Sequence, residues 1–204
     1  MSTNYVEQTA ALIDRIEGHE LLPHAIRLLS SGEPVAPDQL ATAAGWSVED
    51  VEAALESQIS AERDDRERLV GLALTLRPTA HRFTVDGRTL FAWCASDTLM
   101  VPVILGRPAL VDSTCPRTGQ AIRIQVTPDA IRRVDPPDAV VSAVRPLGHL
   151  VDVRSTTCDH GHFFSSMAAT AAWTDEHPDG HVYPVEEAFR LDRQVIKQLG
   201  WDAA

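Results

Sequence analysis

Two cysteines in this chain stand in settings that suit soft-metal chemistry. Cys94 lies in Phe91-Ala92-Trp93-Cys94-Ala95-Ser96-Asp97, and Cys158 in Thr157-Cys158-Asp159-His160-Gly161-His162-Phe163-Phe164. Cys94 follows an extended run and precedes an apolar stretch reaching Leu105, so it is predicted to open a helix, where the N-terminal dipole favours a thiolate. Asp97, three residues on, then shares its face, and a carboxylate there is placed to accept the thiol proton and return it to another atom. The same spacing fits a packed small hydrophobe followed by a first-turn acid; spacing alone leaves both readings open. Around Cys158, alternation on a strand puts Cys158, His160 and His162 on one face. That pattern is compatible with a zinc or copper site, and equally with a strand whose histidines pack or bond locally. Cys115 precedes Pro116 with no acid or base beside it in sequence and reads as structural. His81, His149, His177 and His181 fall near predicted loops and are expected to face solvent. Trp93 is expected in the core or as the wall of an apolar pocket.

The elements that must hold these residues divide the chain in two. Residues 1–70 read as helical: apolar residues recur at helical spacing from Thr9 to Ile16 and again at Leu22, Ala25, Ile26 and Leu29. Asp38 to Ala44 then forms a short helix, Gly45 permits a turn, and Ser47 caps a second helix with Asp50 at the capping-box position. This helix-turn-helix pattern carries 14 acidic and 5 basic side chains over residues 1–70, a net of −9, and the would-be reading helix bears Glu49, Asp50, Glu52 and Glu56. Phosphate contacts require the opposite sign, so a scaffold or lid is favoured over a DNA reader. Glu62 to Arg68 reads as a solvated turn or helix end.

Residues 71–204 change texture. Leu72 to Leu76 is predicted as a strand, and His81 to Val85 and Arg88 to Ala92 flank Asp86-Gly87, a strong hairpin signal. Ala109 to Ser113 pairs with Ala121 to Val126, and Val140 to Val144 is a further strand. The stretch to Leu105 is helical with Pro102 limiting or kinking it; Asp135-Pro136-Pro137-Asp138 marks a loop; Ala168 to Glu176 and Val185 to Leu199 are helices. Hairpins in place of strand-helix-strand units imply an antiparallel sheet, so the class is α+β: a helical, winged-helix-like unit followed by an antiparallel-sheet catalytic domain with flanking helices.

Composition narrows the function. The 204 residues are 44% hydrophobic and 23% charged, as in a globular protein with a real core. No apolar run is long enough to span a bilayer, and the start lacks the pattern of a leader, so a cytoplasmic protein is expected. Three widely spaced cysteines are not a disulfide framework, and a net charge of −11 disfavours nucleic acid and anionic membranes as partners.

On these residues the chain resembles the organomercurial lyase (alkylmercury lyase) family. The likeness runs through Gly71-Leu72-Ala73-Leu74-Thr75-Leu76-Arg77, then Leu90-Phe91-Ala92-Trp93-Cys94-Ala95-Ser96-Asp97-Thr98-Leu99. It continues in Pro102, Leu105-Gly106-Arg107, Val141-Ser142 and Val153-Arg154, and ends in Cys158, His160, His162-Phe163-Phe164, Trp173 and Glu187-Ala188-Phe189. The helix-turn-helix segment also resembles the family's amino-terminal region, so nearly the whole chain is covered. The resemblance implies that Cys94, Asp97 and Cys158 form the catalytic trio and hold the Hg(II) product. It also implies that the amino-terminal unit covers the site without binding DNA, that no cofactor is needed beyond free thiols for turnover, and that the partners are an organomercurial, low-molecular-weight thiols and a mercuric reductase. One departure stands out: many family members carry a further cysteine where this chain has Asp159. Two other classes fit parts of the pattern, a metal-responsive transcriptional regulator and a zinc- or copper-binding module.

Overall fold

The computed structural model of the chain describes residues 2–57, 60–144 and 152–202; His149 lies outside them. Four helices come first: α1 (Ser2–Ile13), α2 (Leu21–Leu29), α3 (Pro37–Ala44) and α4 (Val48–Glu56). The amphipathic pattern of α2 buries Leu21, Ala25, Ile26 and Leu29 completely or nearly so, and each leucine so placed contributes roughly 1.5–3 kcal/mol. The Ser47 hydroxyl caps α4 as its sequence predicts, accepting from the Asp50 backbone N–H. The acids Glu49, Glu52 and Glu56 face solvent.

The main sheet has eight strands: β1 (Glu62–Arg63), β2 (Leu69–Leu72), β3 (Leu74–Thr75), β4 (His81–Val85), β5 (Arg88–Ala92), β6 (Ala109–Thr114), β7 (Ala121–Val126) and β8 (Ile131–Asp135). They lie in the order β1-β2-β3-β5-β4-β6-β7-β8, with every pairing antiparallel. Asp86 and Gly87 both take positive φ, 49° and 75°, the requirement of a tight hairpin turn that glycine meets without strain. A smaller sheet sets β9 (Val140–Ala143) between β10 (Phe163–Phe164) and β11 (His181–Pro184). Helices α5 (Ala95–Leu105), α6 (Val153–Thr156), α7 (Ala171–Glu176) and α8 (Val185–Leu199) flank the sheets. One continuous apolar core joins α2, α3 and α4 to the sheet and to α5, and a second cluster of Tyr5, Val6, Ala10, Leu191 and Val195 fastens α1 to α8.

Several expectations are corrected. The strand expected over Leu72 to Leu76 is broken at Ala73, whose φ of 60° turns the chain between β2 and β3. Glu62 to Arg68 is not wholly solvated: it holds β1, and Glu62 is buried under the Thr75 hydroxyl, which donates to its carboxylate at 2.6 Å, and under Arg154. Met167 to Thr170 forms a 3-10 turn ahead of α7. His81 does not face solvent. It is 3% exposed on β4, with its Nδ1 3.0 Å from the Ser113 hydroxyl, and burial lowers its pKa to about 4. His177 and His181 are only partly covered. Helix α5 continues through Pro102, giving up the one hydrogen bond that a proline nitrogen cannot donate.

Candidate active site

Strand β5 delivers the chain to Cys94, and the change from β to helix there makes Cys94 the N-cap of α5. Its Sγ accepts the Asp97 N–H at 3.4 Å, and the Asp97 carboxylate accepts the Cys94 N–H at 3.0 Å. This is a capping box in which sulfur and carboxylate replace the usual hydroxyl and glutamate. The first-turn arrangement expected from sequence is therefore present, and it fixes the rotamers of both side chains by hydrogen bonds to backbone.

Cys158 arrives from the other side of the molecule. In place of the strand expected over Cys158 to His162 there is a 3-10 turn over Cys158–His160, which follows α6. A 3-10 turn does not alternate its side chains, so Cys158 and His160 part company. His160 turns to His177 (Nδ1 to Nε2, 3.0 Å), while Ser142 and Trp173 donate to the His160 carbonyl. The turn is pinned against α5 by the Ala95 N–H, which donates to Gly161 O at 3.0 Å. The result brings the ligand atoms of Cys94, Asp97 and Cys158 within 4.8 Å of one another, the one such cluster of potential metal ligands among the described residues. His160 and His162 are not in it, and Cys115 sits apart, fully buried at the β6–β7 turn. Burial pushes the Cys115 thiol up, but hydrogen bonds from Thr118 and Ser165 outweigh that and hold it at about 7.

The trio is almost dry, with Cys94, Cys158 and Asp97 6%, 7% and 9% exposed. They open on a cavity of about 180 Å³ walled by α1, Leu22, Trp93, Met100, Val153 and Trp201. A larger groove of about 700 Å³ between α8 and the β7–β8 turn lies away from the thiols. The dipole of α5 does not win at Cys94. Its hydrogen bond to Cys158, burial and the Asp97 charge drive its pKa well above the ordinary thiol value. At Cys158 the same bond acts downward, but burial and the charges of Asp97 and Asp159 outweigh it and the pKa is raised. Burial lifts Asp97 to about 6 against the opposing hydrogen bonds from Cys94 and the charge of Arg154. Both thiols thus rest protonated at neutral pH, beside a carboxyl that titrates close to it.

Residues to which the sequence assigned no catalytic role complete the site. Arg154 lies over the Trp93 ring at 5.2 Å, pairs with Glu62 and stands 3.6 Å from Asp159. Asp159 therefore turns to a cation at the rim. Gly161 packs so closely that a Cβ built there would meet Cys94 Cβ at 3.0 Å. Asp192 of α8, 5% exposed, also lines the cavity; burial first and the Asp97 charge second push its pKa far up.

The raised pKa of Asp97 has a stability consequence. The folded state holds the proton up to about 6 and the unfolded chain releases it near 3.8. Folding therefore loses stability as pH rises from about 4 to about 6, on the order of 3 kcal/mol for this group. Urea melts of wild type and Asp97→Asn across that window check it: the variant should lack this part of the fall, and identical slopes would contradict a buried acid.

Comparison with known proteins agrees with the geometry. Residues 74–197 match the family described as alkylmercury lyase, and residues 17–73 the helix-turn-helix domain of alkylmercury lyase. The chain is 45% identical over 170 residues to an alkylmercury lyase of Staphylococcus epidermidis, which covers 83% of this chain and 78% of that one. It is 47% identical over 168 residues to one of Bacillus cereus (82% and 77%), and 42% over 174 residues to one of Pseudomonas putida (85% and 82%). The crystal structure of the mercury-bound form of MerB2 superposes with a TM-score of 0.77 at 25% identity, covering 97% of this chain and 98% of that one. A capped thiol, an acid on its helix and a second thiol brought in by a separate turn, on a chain this similar throughout, leave one assignment: the protein belongs to the alkylmercury lyase family.

Proposed function

We propose that the protein cleaves the carbon–mercury bond of organomercurials by protonolysis, with Cys94 and Cys158 as mercury ligands and Asp97 as the proton carrier. The observation that carries this reading is the convergence of two thiols and one carboxyl within 4.8 Å in a nearly dry cavity. Mercury is soft and prefers thiolate, but both thiols here are held protonated, so ligation needs a base. Asp97, at about 6, is ionised enough at neutral pH to serve as that base and acidic enough to give the proton back.

The substrate arrives as R–Hg–SR′, carried by a small thiol. Cys94 gives its proton through Asp97 to the departing thiol and takes its place on mercury. Cys158 then adds as the second sulfur, leaving its proton on Asp97. Two sulfur ligands push electron density onto mercury and weaken its bond to carbon. The proton on Asp97 passes to that carbon, and the products are R–H and Hg(II) bridging Cys94 and Cys158. Charge is conserved at each step and no redox partner is required. External thiols, or the cysteines of a mercuric reductase, then remove Hg(II) by exchange. The acidic exposed face of α4 favours a lid or scaffold over contact with nucleic acid, and no described helix is long and apolar enough to cross a membrane. The proposed division remains a helical unit over 1–70 and a catalytic unit over 71–204.

The reading is tested by supplying phenylmercury with excess small thiol and measuring benzene. Stoichiometric release by the folded wild type is expected, and none above the uncatalysed rate from Cys94→Ser. Normal release from that variant would sink the mechanism.

A further inference from the structure

Buried side-chain polar atoms almost always find partners, so the few that do not are informative. Among the described residues five lack a protein partner, and four of them belong to Thr9 (Oγ1), Trp93 (Nε1), Thr157 (Oγ1) and Asp192 (Oδ2). All four residues line the cavity that holds Cys94, Asp97 and Cys158. They come from separate parts of the chain: α1, the end of β5, the turn before Cys158, and α8. Trp93 and Asp192 are themselves more than nine-tenths buried. Their meeting at one cavity is not a by-product of a single poorly packed element.

A hydrocarbon group on mercury satisfies none of these atoms. Trp93 Nε1 only donates, the two hydroxyls donate or accept, and the Asp192 carboxyl accepts, or donates when it holds a proton. An uncharged hydroxyl, which donates one hydrogen bond and accepts two, suits this mixture of donors and acceptors. An anion is disfavoured, because the Asp97 carboxyl faces the same space.

We propose that the active-site cavity contains a polar subsite, marked by Thr9, Trp93, Thr157 and Asp192, that takes a hydroxyl or comparable uncharged oxygen group of the substrate complex. The oxygen comes either from the organic group or from the thiol that carries the mercurial. The proposal rests on the lyase reading given above, and the following experiment separates the two.

Two matched pairs serve as probes. For the organic group they are 3-hydroxypropylmercury and n-butylmercury, which differ by OH against CH₃. For the carrier they are 2-mercaptoethanol and 1-propanethiol, which differ in the same way. kcat/KM is measured for each pair with wild type, Thr157→Val and Thr9→Val, both nearly isosteric changes. Wild type should favour the hydroxylated member of one pair by about tenfold, a typical consequence of leaving buried polar groups unpaired; the pair that responds identifies the source. At least one valine variant should bring that ratio severalfold closer to one. Melting temperatures of the variants should be unchanged or higher, since the hydroxyl removed had no partner to lose. Equal ratios for wild type and both variants overturn the subsite, as does a lowered melting temperature with ratios unmoved, which marks the hydroxyls as structural. Absence of butane and propanol from all mixtures overturns the lyase reading instead.

Discussion

Asp97→Asn is expected to remain folded, to bind mercury, and to release hydrocarbon about 10²–10⁴-fold more slowly than wild type, the usual worth of a positioned acid–base group. The amide keeps an oxygen that can accept the Cys94 N–H, as the carboxylate does at 3.0 Å, so the cap of α5 survives and the loss reports proton transfer. Asparagine cannot take the proton of either thiol, both of which are held protonated by their surroundings. The loss should therefore appear in kcat more than in KM, and alkaline pH should not restore it, because ionised thiols leave no proton for the carbon. Single-turnover benzene release against pH is the measurement. A variant within threefold of wild type at neutral pH would remove Asp97 from the chemistry.

The second large effect is expected at a residue with no chemistry of its own. Gly161→Ala should lower kcat/KM by about ten- to a hundredfold, because small displacements of reacting groups are costly. The backbone of Gly161, φ −91° and ψ 99°, suits any residue, so no strain arises from conformation. The obstacle is distance: the new methyl meets Cys94 Cβ at 3.0 Å, the Cys158 carbonyl at 3.4 Å and Cys94 Sγ at 3.5 Å. Something must give by a few tenths of an ångström, and the groups that stand in the way are Cys94 and the backbone of Cys158. Stability should change by no more than about 1–2 kcal/mol, since the stiffer unfolded chain offsets part of the crowding. Parallel melts and rate measurements check this; full activity with a depressed melting temperature would show that the turn yields elsewhere.

How much of this was legible in the sequence follows from how local each signal is. Asp86-Gly87 and Ser47 act within four residues of themselves, and the hairpin and the cap of α4 are where their chemistry puts them. The helix start at Cys94 was legible for the same reason. The turn at Ala73 was not, because alanine carries no preference for positive φ; the conformation is held by bonds from Trp93 and Leu76 on either side. Around Cys158 the pattern Cys-x-His-x-His alternates like a strand, whereas the Asp152 carboxylate caps α6 just upstream and sends the chain into helical turns. Asp152 is the N-cap signal that the sequence carries there. His81 opens a strand beside a loop, where solvent is the ordinary expectation, yet its strand is central and its ring packs on Phe163. Asp192 and Gly161 carry no local signal: one is an acid in an amphipathic helix and the other a glycine in a turn. That Cys94 and Cys158 meet was implied by family likeness alone, since nothing in the spacing of two thiols so distant in sequence requires it.

The two thiols belong to different layers. Cys94 caps the helix that leaves the eight-stranded sheet, and Cys158 rides on a turn feeding the three-stranded one. Between them the backbone contributes the Ala95–Gly161 hydrogen bond. On the proposed chemistry, mercury bridging those sulfurs is a staple driven through the seam. A ligand that binds only the folded form at a thousand times its Kd adds about 4 kcal/mol to stability, so each turnover ends in a more tightly closed protein than it began with. The unloaded enzyme is the looser partner of the cycle, and the small thiols that strip the ion do two jobs at once: they carry off the cargo and unlock the seam for the next substrate.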